Sequence, residues 1–153
     1  SASTGIVIFI CIGYLGIEIN DPQIIQIAIL VITLIISFLL FNYPFGKIFL
    51  GDSGSYFIGL LGGYLIIKIF ASNPQLPTWT AVTVLFYPTL EVIFSYFRKI
   101  NSHQSPFLPD KKHLHLKIFY LLSKGNTNPV RLYNALVAPF LSIIWLAPLA
   151  ILP

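Results

Sequence analysis

The chain has 153 residues, 56% of them hydrophobic and only 9% charged, with a mean hydropathy of +0.84 and a formal net charge of +4. Soluble domains carry roughly 25% charged residues, so too few charges are present to clothe a water-soluble globule. The composition excludes a soluble enzyme, gives no reason to expect a nucleic-acid partner, and points to an integral membrane protein.

Five apolar runs follow one another, at about 4–17, 24–41, 55–70, 79–97 and 130–152. A membrane-crossing helix needs roughly 17–25 apolar residues. The second, fourth and fifth runs meet that length, the third approaches it with Lys68 able to snorkel at its end, and the first is short. No run alternates with the period of a membrane barrel. The expected fold is therefore an all-α membrane protein of about five transmembrane helices. Cys11, the one cysteine, lies in the first run; an intrachain disulfide is excluded, and the thiol reads as a small buried hydrophobe. Ser1-Ala2-Ser3-Thr4 is not a charged leader, and the chain is expected to have been cut from a longer one.

Between the second and third runs stands Phe45-Gly46-Lys47-Ile48-Phe49-Leu50-Gly51-Asp52-Ser53-Gly54-Ser55. Ser53 and Ser55 are good helix N-caps, and glycines at 51 and 54 permit a sharp turn and close backbone approach to a ligand. The spacing predicts a loop entering a helix, with Asp52 one to three residues ahead of the first turn. Free N–H groups there favour an anion, and a carboxylate can hold Mg²⁺. The plainer alternative is that Asp52 caps the helix. A nucleophile elbow would need Gly at position 55, where Ser55 stands. Gly59, Gly62 and Gly63, further on, read as places of close helix packing.

Trp79 opens the fourth run, where an interfacial aromatic anchor is expected. Within that run lies Glu91, an acid costing roughly 2.5–3.5 kcal/mol at a bilayer centre. Arg98 stands seven residues later, two helical turns on, so an ion pair along one face is the plain expectation. The linker after it holds Ser105-Pro106-Phe107-Leu108-Pro109-Asp110-Lys111-Lys112-His113-Leu114-His115-Leu116-Lys117. On a regular helix His113 and His115 diverge by about 200°; in an extended segment they point the same way. With Lys111 and Lys112 they suit contact with phosphate oxygens, or attraction to anionic lipid headgroups.

Placing the second and fourth linkers in the cytoplasm gathers Lys47, Arg98, Lys99, Lys111, Lys112, Lys117, Lys124 and Arg131 on one side, leaving only Lys68 toward the other. The positive-inside rule favours that orientation. Asp52, Asp110 and all three histidines then share the cytoplasmic face.

Together these strings resemble the polyprenyl-phosphate N-acetylhexosamine-1-phosphate transferases, glycosyltransferase family 4. The resemblance runs from about Gly13 to Gly125. It rests on Phe41-Asn42 ten residues before Asp52, on Lys47 to Ser55, on Pro88-x-x-Glu91 followed by Arg98, and on Ser105 to His115. It implies Mg²⁺-dependent (or Mn²⁺-dependent) transfer of a phospho-sugar from a UDP-N-acetylhexosamine to a polyprenyl phosphate such as undecaprenyl phosphate, releasing UMP, in cell-envelope glycan synthesis. The site would face the cytoplasm from the cell (inner) membrane, with a homodimer as one arrangement. By the same resemblance Asp52 is the metal-binding or catalytic acid, His113 and His115 belong to a catalytic histidine motif, and Asn42, Ser53, Gly54, Lys111 and Lys112 contact substrate. Direct attack and a covalent aspartyl intermediate both remain open. Leu116 stands where a further histidine is usual, Glu91 where Asp is usual, and no adjacent aspartate pair is present. Residues 1–153 are thus expected to be the C-terminal part of one polytopic domain, inactive alone. A non-catalytic scaffold, a transporter-like module or a degenerate homologue is the alternative.

Overall fold

The computed structural model describes residues 2–43, 46–101, 117–119, 121 and 137. Its elements are α1 (Ala2–Glu18), α2 (Pro22–Asn42), α3 (Gly51–Ser72), α4 (Thr78–Val84) and α5 (Phe86–Asn101). All are helices, and no strand occurs among the described residues, as the composition and run lengths predict.

A three-residue turn joins α1 to α2. The Asp21 N–H donates to the Gly16 carbonyl at 2.9 Å, and Asn20 takes φ +54, a left-handed conformation that Asn tolerates better than most residues. Asp21 then caps α2: its Oδ1 accepts from the N–H groups of Gln23 (2.9 Å) and Ile24 (3.3 Å), and Pro22 fills the first helical position. Proline suits that position because its missing N–H would be unsatisfied there anyway. Asp21→Ala is expected to lower stability by about 1 kcal/mol, read as an earlier unfolding midpoint by circular dichroism in detergent.

Helix α1 is the centre of the described bundle. A methyl added at Gly16 would stand 3.0 Å from Ile24 Cγ2, and one at Gly5 3.1 Å from Ile35 Cδ1, so α2 runs antiparallel to α1. Gly5 also approaches Ile58 Cγ2 (3.0 Å), whereas Gly62 faces Ile8 (3.5 Å) and Ile12 (4.0 Å). Helix α3 therefore runs parallel to α1, and the end of α2 and the start of α3 share one end of the bundle. The core is built from Phe9, Ile12 and Leu15 of α1, Ile24 and Ala28 of α2, and Leu65 and Ile69 of α3, joined by Cys11, whose burial matches the reading of it as a small hydrophobe. Of the three glycines assigned to packing, Gly62 alone packs against another helix among the described residues. A methyl at Gly59 or Gly63 would meet nothing within 4 Å among the described residues, because α3 turns that side away from α1.

The fourth apolar run is not one continuous helix. It breaks at Leu85, and α4 and α5 meet at 75°. Pro88 supplies the reason: it has no N–H to offer the Val84 carbonyl, and its ring clashes with that carbonyl in a regular helix. Restarting at Phe86 puts Pro88 in the first turn of α5, where the N–H is not missed. Trp79, half exposed, lies in the first turn of α4. Thr80 is wholly buried and its Oγ1 has no hydrogen-bond partner.

Helices α2 and α3 are each long and apolar enough to cross a bilayer, and the α4–α5 pair makes a third crossing if taken as one span. Large side chains such as Leu30, Leu34, Leu40, Leu60 and Ile67 project outward. In water that surface would drive aggregation; in lipid it is the ordinary exterior, and the chain is a membrane protein. The expected count of five spans is not reached among the described residues. The first run forms only the 17-residue α1, and the run at 130–152 lies outside them apart from Val137, which is buried with the core.

Candidate active site

Asp52 is displaced from its expected position by a turn. The sequence places it ahead of the helix with Ser53 or Ser55 as the cap, but α3 already starts at Gly51 and Asp52 lies in its first turn. Leu50 takes the capping position and makes no side-chain cap bond. The Ser55 Oγ donates to the Gly51 carbonyl at 2.9 Å instead of capping. Gly51 has φ +67, which lets the chain swing into the helix in one residue without the penalty a side chain would bring. Gly54 is required for space: an added methyl would lie 2.8 Å from Leu50 Cγ and Cδ1. The glycines of this stretch thus shape the helix entrance first, and any closeness to a ligand follows from that shape.

The Asp52 side chain is exposed and makes no hydrogen bond or ion pair among the described residues. The capping role is thereby set aside, and the carboxylate is left as a donor at the positive end of the α3 dipole. Ser53 beside it is also exposed. Lys47, five residues earlier, is exposed in the same connection; sequence reasoning used it to orient the chain and as the start of the string that carries the resemblance, without a site role.

Asn42 closes α2. Its carbonyl accepts from the Gly46 N–H, and its side-chain Oδ1 is buried without a partner. A buried, unmatched amide oxygen costs roughly 1–3 kcal/mol, which makes it a conspicuous feature of an otherwise apolar segment. Ile35 and Ile58 both meet Gly5. Asn42 lies seven residues beyond Ile35, and Asp52 six residues before Ile58, so each sits about 9–11 Å past the level of Gly5. The structure therefore brings Asn42, Ser53, Gly54 and Asp52 to one end of the bundle. His113, His115, Lys111 and Lys112 lie outside the described residues.

Among the described residues no three His, Cys, Asp or Glu side chains cluster. One free carboxylate fits the habits of Mg²⁺, which takes one or two protein carboxylates and completes its octahedron with water and phosphate oxygens. It does not fit zinc, which wants three or four protein ligands. Glu91 and Arg98 are both half-buried on α5, and each makes a polar or electrostatic interaction.

What the geometry defines is a helical membrane protein with an exposed acid, unpartnered among the described residues, at the head of a helix long and apolar enough to cross a membrane. Residues 1–70, which include Asn42 and Asp52, match the model of glycosyl transferase family 4, the family its motifs resemble. Similar curated proteins include the undecaprenyl-phosphate alpha-N-acetylglucosaminyl 1-phosphate transferase of Thermotoga maritima, 36% identical over 81 residues, which are 53% of this chain and 26% of the relative. The Pasteurella multocida protein of the same name is 31% identical over 116 residues, 71% of this chain and 32% of the relative. The decaprenyl-phosphate N-acetylglucosaminephosphotransferase of Mycobacterium leprae is 32% identical over 100 residues, 56% of this chain and 25% of the relative. The matched stretches span about a quarter to a third of the length of these relatives. No solved structure matches the chain.

Proposed function

We propose that the protein works as a polyprenyl-phosphate N-acetylhexosamine-1-phosphate transferase at the cytoplasmic face of a cell membrane, with GlcNAc as the sugar. The observation that carries this reading is the exposed Asp52 carboxylate, without a partner among the described residues, at the same bundle end as the orphaned Asn42 oxygen, within the segment matching glycosyl transferase family 4. The names of the relatives support a lipid phosphate as acceptor and an N-acetylglucosaminyl phosphate as the group moved.

The chemistry joins a lipid phosphate to the sugar-bearing phosphate of a UDP-sugar. A lipid phosphate oxygen forms a bond to the β-phosphorus, the bond from that phosphorus to the bridging oxygen breaks, and UMP leaves with the electron pair. Both reactants are anionic, and one is soluble while the other is confined to the bilayer, so the site belongs at a membrane surface. Asp52 would hold Mg²⁺, and the bound ion would offset the charge gathered as the two phosphates meet. Asn42 would orient a ligand through its unmatched oxygen, which accepts but cannot donate. The α3 N-terminus adds fixed positive potential at the same end.

The test uses membranes holding the protein as the cell makes it, supplied with UDP-GlcNAc and undecaprenyl phosphate. UMP and a lipid-linked sugar phosphate should appear together, and both should stop when EDTA removes Mg²⁺. Absence of both products at saturating substrates, or UMP formed without the lipid acceptor, would overturn the assignment.

A further inference from the structure

The motif between α2 and α3 contains a second charged residue, Lys47, to which the reading above gives no part. Its side chain is exposed and makes no hydrogen bond or ion pair among the described residues. Residues 2–72 hold only one other basic side chain, Lys68, which lies four residues before the end of α3 and so at the opposite end of the bundle. Within that stretch Lys47 is therefore the cation on the Asp52 side.

Two observations set its depth. Helices α2 and α3 have 21 and 22 residues, about 31–33 Å, against roughly 30 Å of hydrocarbon core. Their whole length is needed to cross, so the connection at 43–50 stands at headgroup level. Tyr43, at the C-cap of α2, is exposed, as a tyrosine of the interfacial belt would be. The backbone keeps Lys47 at that level. The Gly46 N–H donates to the Asn42 carbonyl, and Gly46 takes φ +62, a left-handed turn that glycine accepts readily. Lys47 follows directly, one residue past the tie to Asn42. Ile48 beside it is 43% exposed, so the connection presents a cation and an apolar side chain together.

A transfer site at this level meets two unlike anions. The nucleotide sugar arrives from water, whereas the acceptor phosphate is carried at headgroup depth on an apolar chain. An ammonium on a long apolar stem, snorkelling at that depth, matches the second. Lysine is a compact point charge suited to phosphate; the Asp52 carboxylate reaches a phosphate only through a bound cation.

We propose that Lys47 binds the phosphate of the prenyl acceptor, donating to a non-bridging oxygen and holding that phosphate at the head of α3 beside Asp52. The acceptor is the one named by the transferase reading, on which this inference rests; the lysine contact is additional to it.

Acceptor kinetics test the contact, with the protein as the cell makes it in phosphatidylcholine vesicles, whose neutral headgroups remove bulk surface charge. Lys47→Gln should raise KM for undecaprenyl phosphate by about tenfold, the scale of one charge-assisted contact, and leave KM for UDP-GlcNAc unchanged. Lys47→Arg, which keeps the charge, should restore the parent value. An unchanged acceptor KM would overturn the proposal, as would a rise confined to UDP-GlcNAc or one that appears only when phosphatidylglycerol is added. A binding measurement needs no turnover: farnesyl phosphate should bind about tenfold more weakly to Lys47→Gln than to the parent, while farnesol, which lacks the phosphate, binds both alike. Equal farnesyl phosphate binding would sink the contact. A parent that binds farnesyl phosphate through Lys47 yet transfers no sugar would remove the transferase reading and leave the contact standing.

Discussion

Asp52→Asn should reduce UMP release by about 10²–10³-fold in the protein as the cell makes it, the scale found when one preorganised electrostatic group is removed from an active site. The substitution keeps shape and volume and removes the charge that a divalent cation needs. Little else should change, because Asp52 is exposed and its side chain makes no bond that holds α3 in place. Stability measured on the same variant should therefore match the parent. If the acid serves as a ligand, raising Mg²⁺ should recover part of the lost rate, whereas a purely structural role predicts no such recovery. Unchanged turnover at limiting and saturating Mg²⁺ would take Asp52 out of the mechanism.

The same residue shows how far the sequence could be read. A carboxylate in a Gly/Ser turn between apolar runs announces a helix entrance, and the entrance is there. Its register was missed because serine's preference for the N-cap was weighed without Leu50. That side chain lies over Gly54, and Gly51 adopts a left-handed turn, so the helix begins earlier. Helix positions were legible from hydropathy because lipid demands apolar length whatever the packing. The break at Leu85 was legible only in part: Pro88 was visible, but a proline ten residues into an apolar run kinks some helices and ends others, and no local pattern records the 75° angle. The partnering of helices was the least legible. Gly59, Gly62 and Gly63 look alike in the chain, yet among the described residues only Gly62 has a neighbouring helix to meet. The buried oxygen of Asn42 was also invisible, since a residue's solvent access at a helix end is decided by what surrounds it.

Phe9→Ala is expected to be the most destabilising single change in the described core, at about 3–5 kcal/mol on the scale of buried aromatic truncations. Phe9 is fully buried, and its Cε2 reaches to 3.9 Å from where a methyl on Gly62 would stand. Alanine there empties the space between α1 and α3. Inside a membrane the loss is not one of hydrophobic transfer, since lipid is as apolar as the core; it is the loss of close packing that holds the two helices together. Ile10, the next residue, provides the contrast because it is 38% exposed on the lipid side; Ile10→Ala should cost less than about 1 kcal/mol, as surface substitutions generally do. A detergent unfolding series should therefore separate the two neighbours clearly, with a midpoint for Phe9→Ala lower by about 10 °C. Equal midpoints would mean that α1 does not present Phe9 to α3. The parallel arrangement that brings the start of α3 to the same end as Asn42 would then lose its footing.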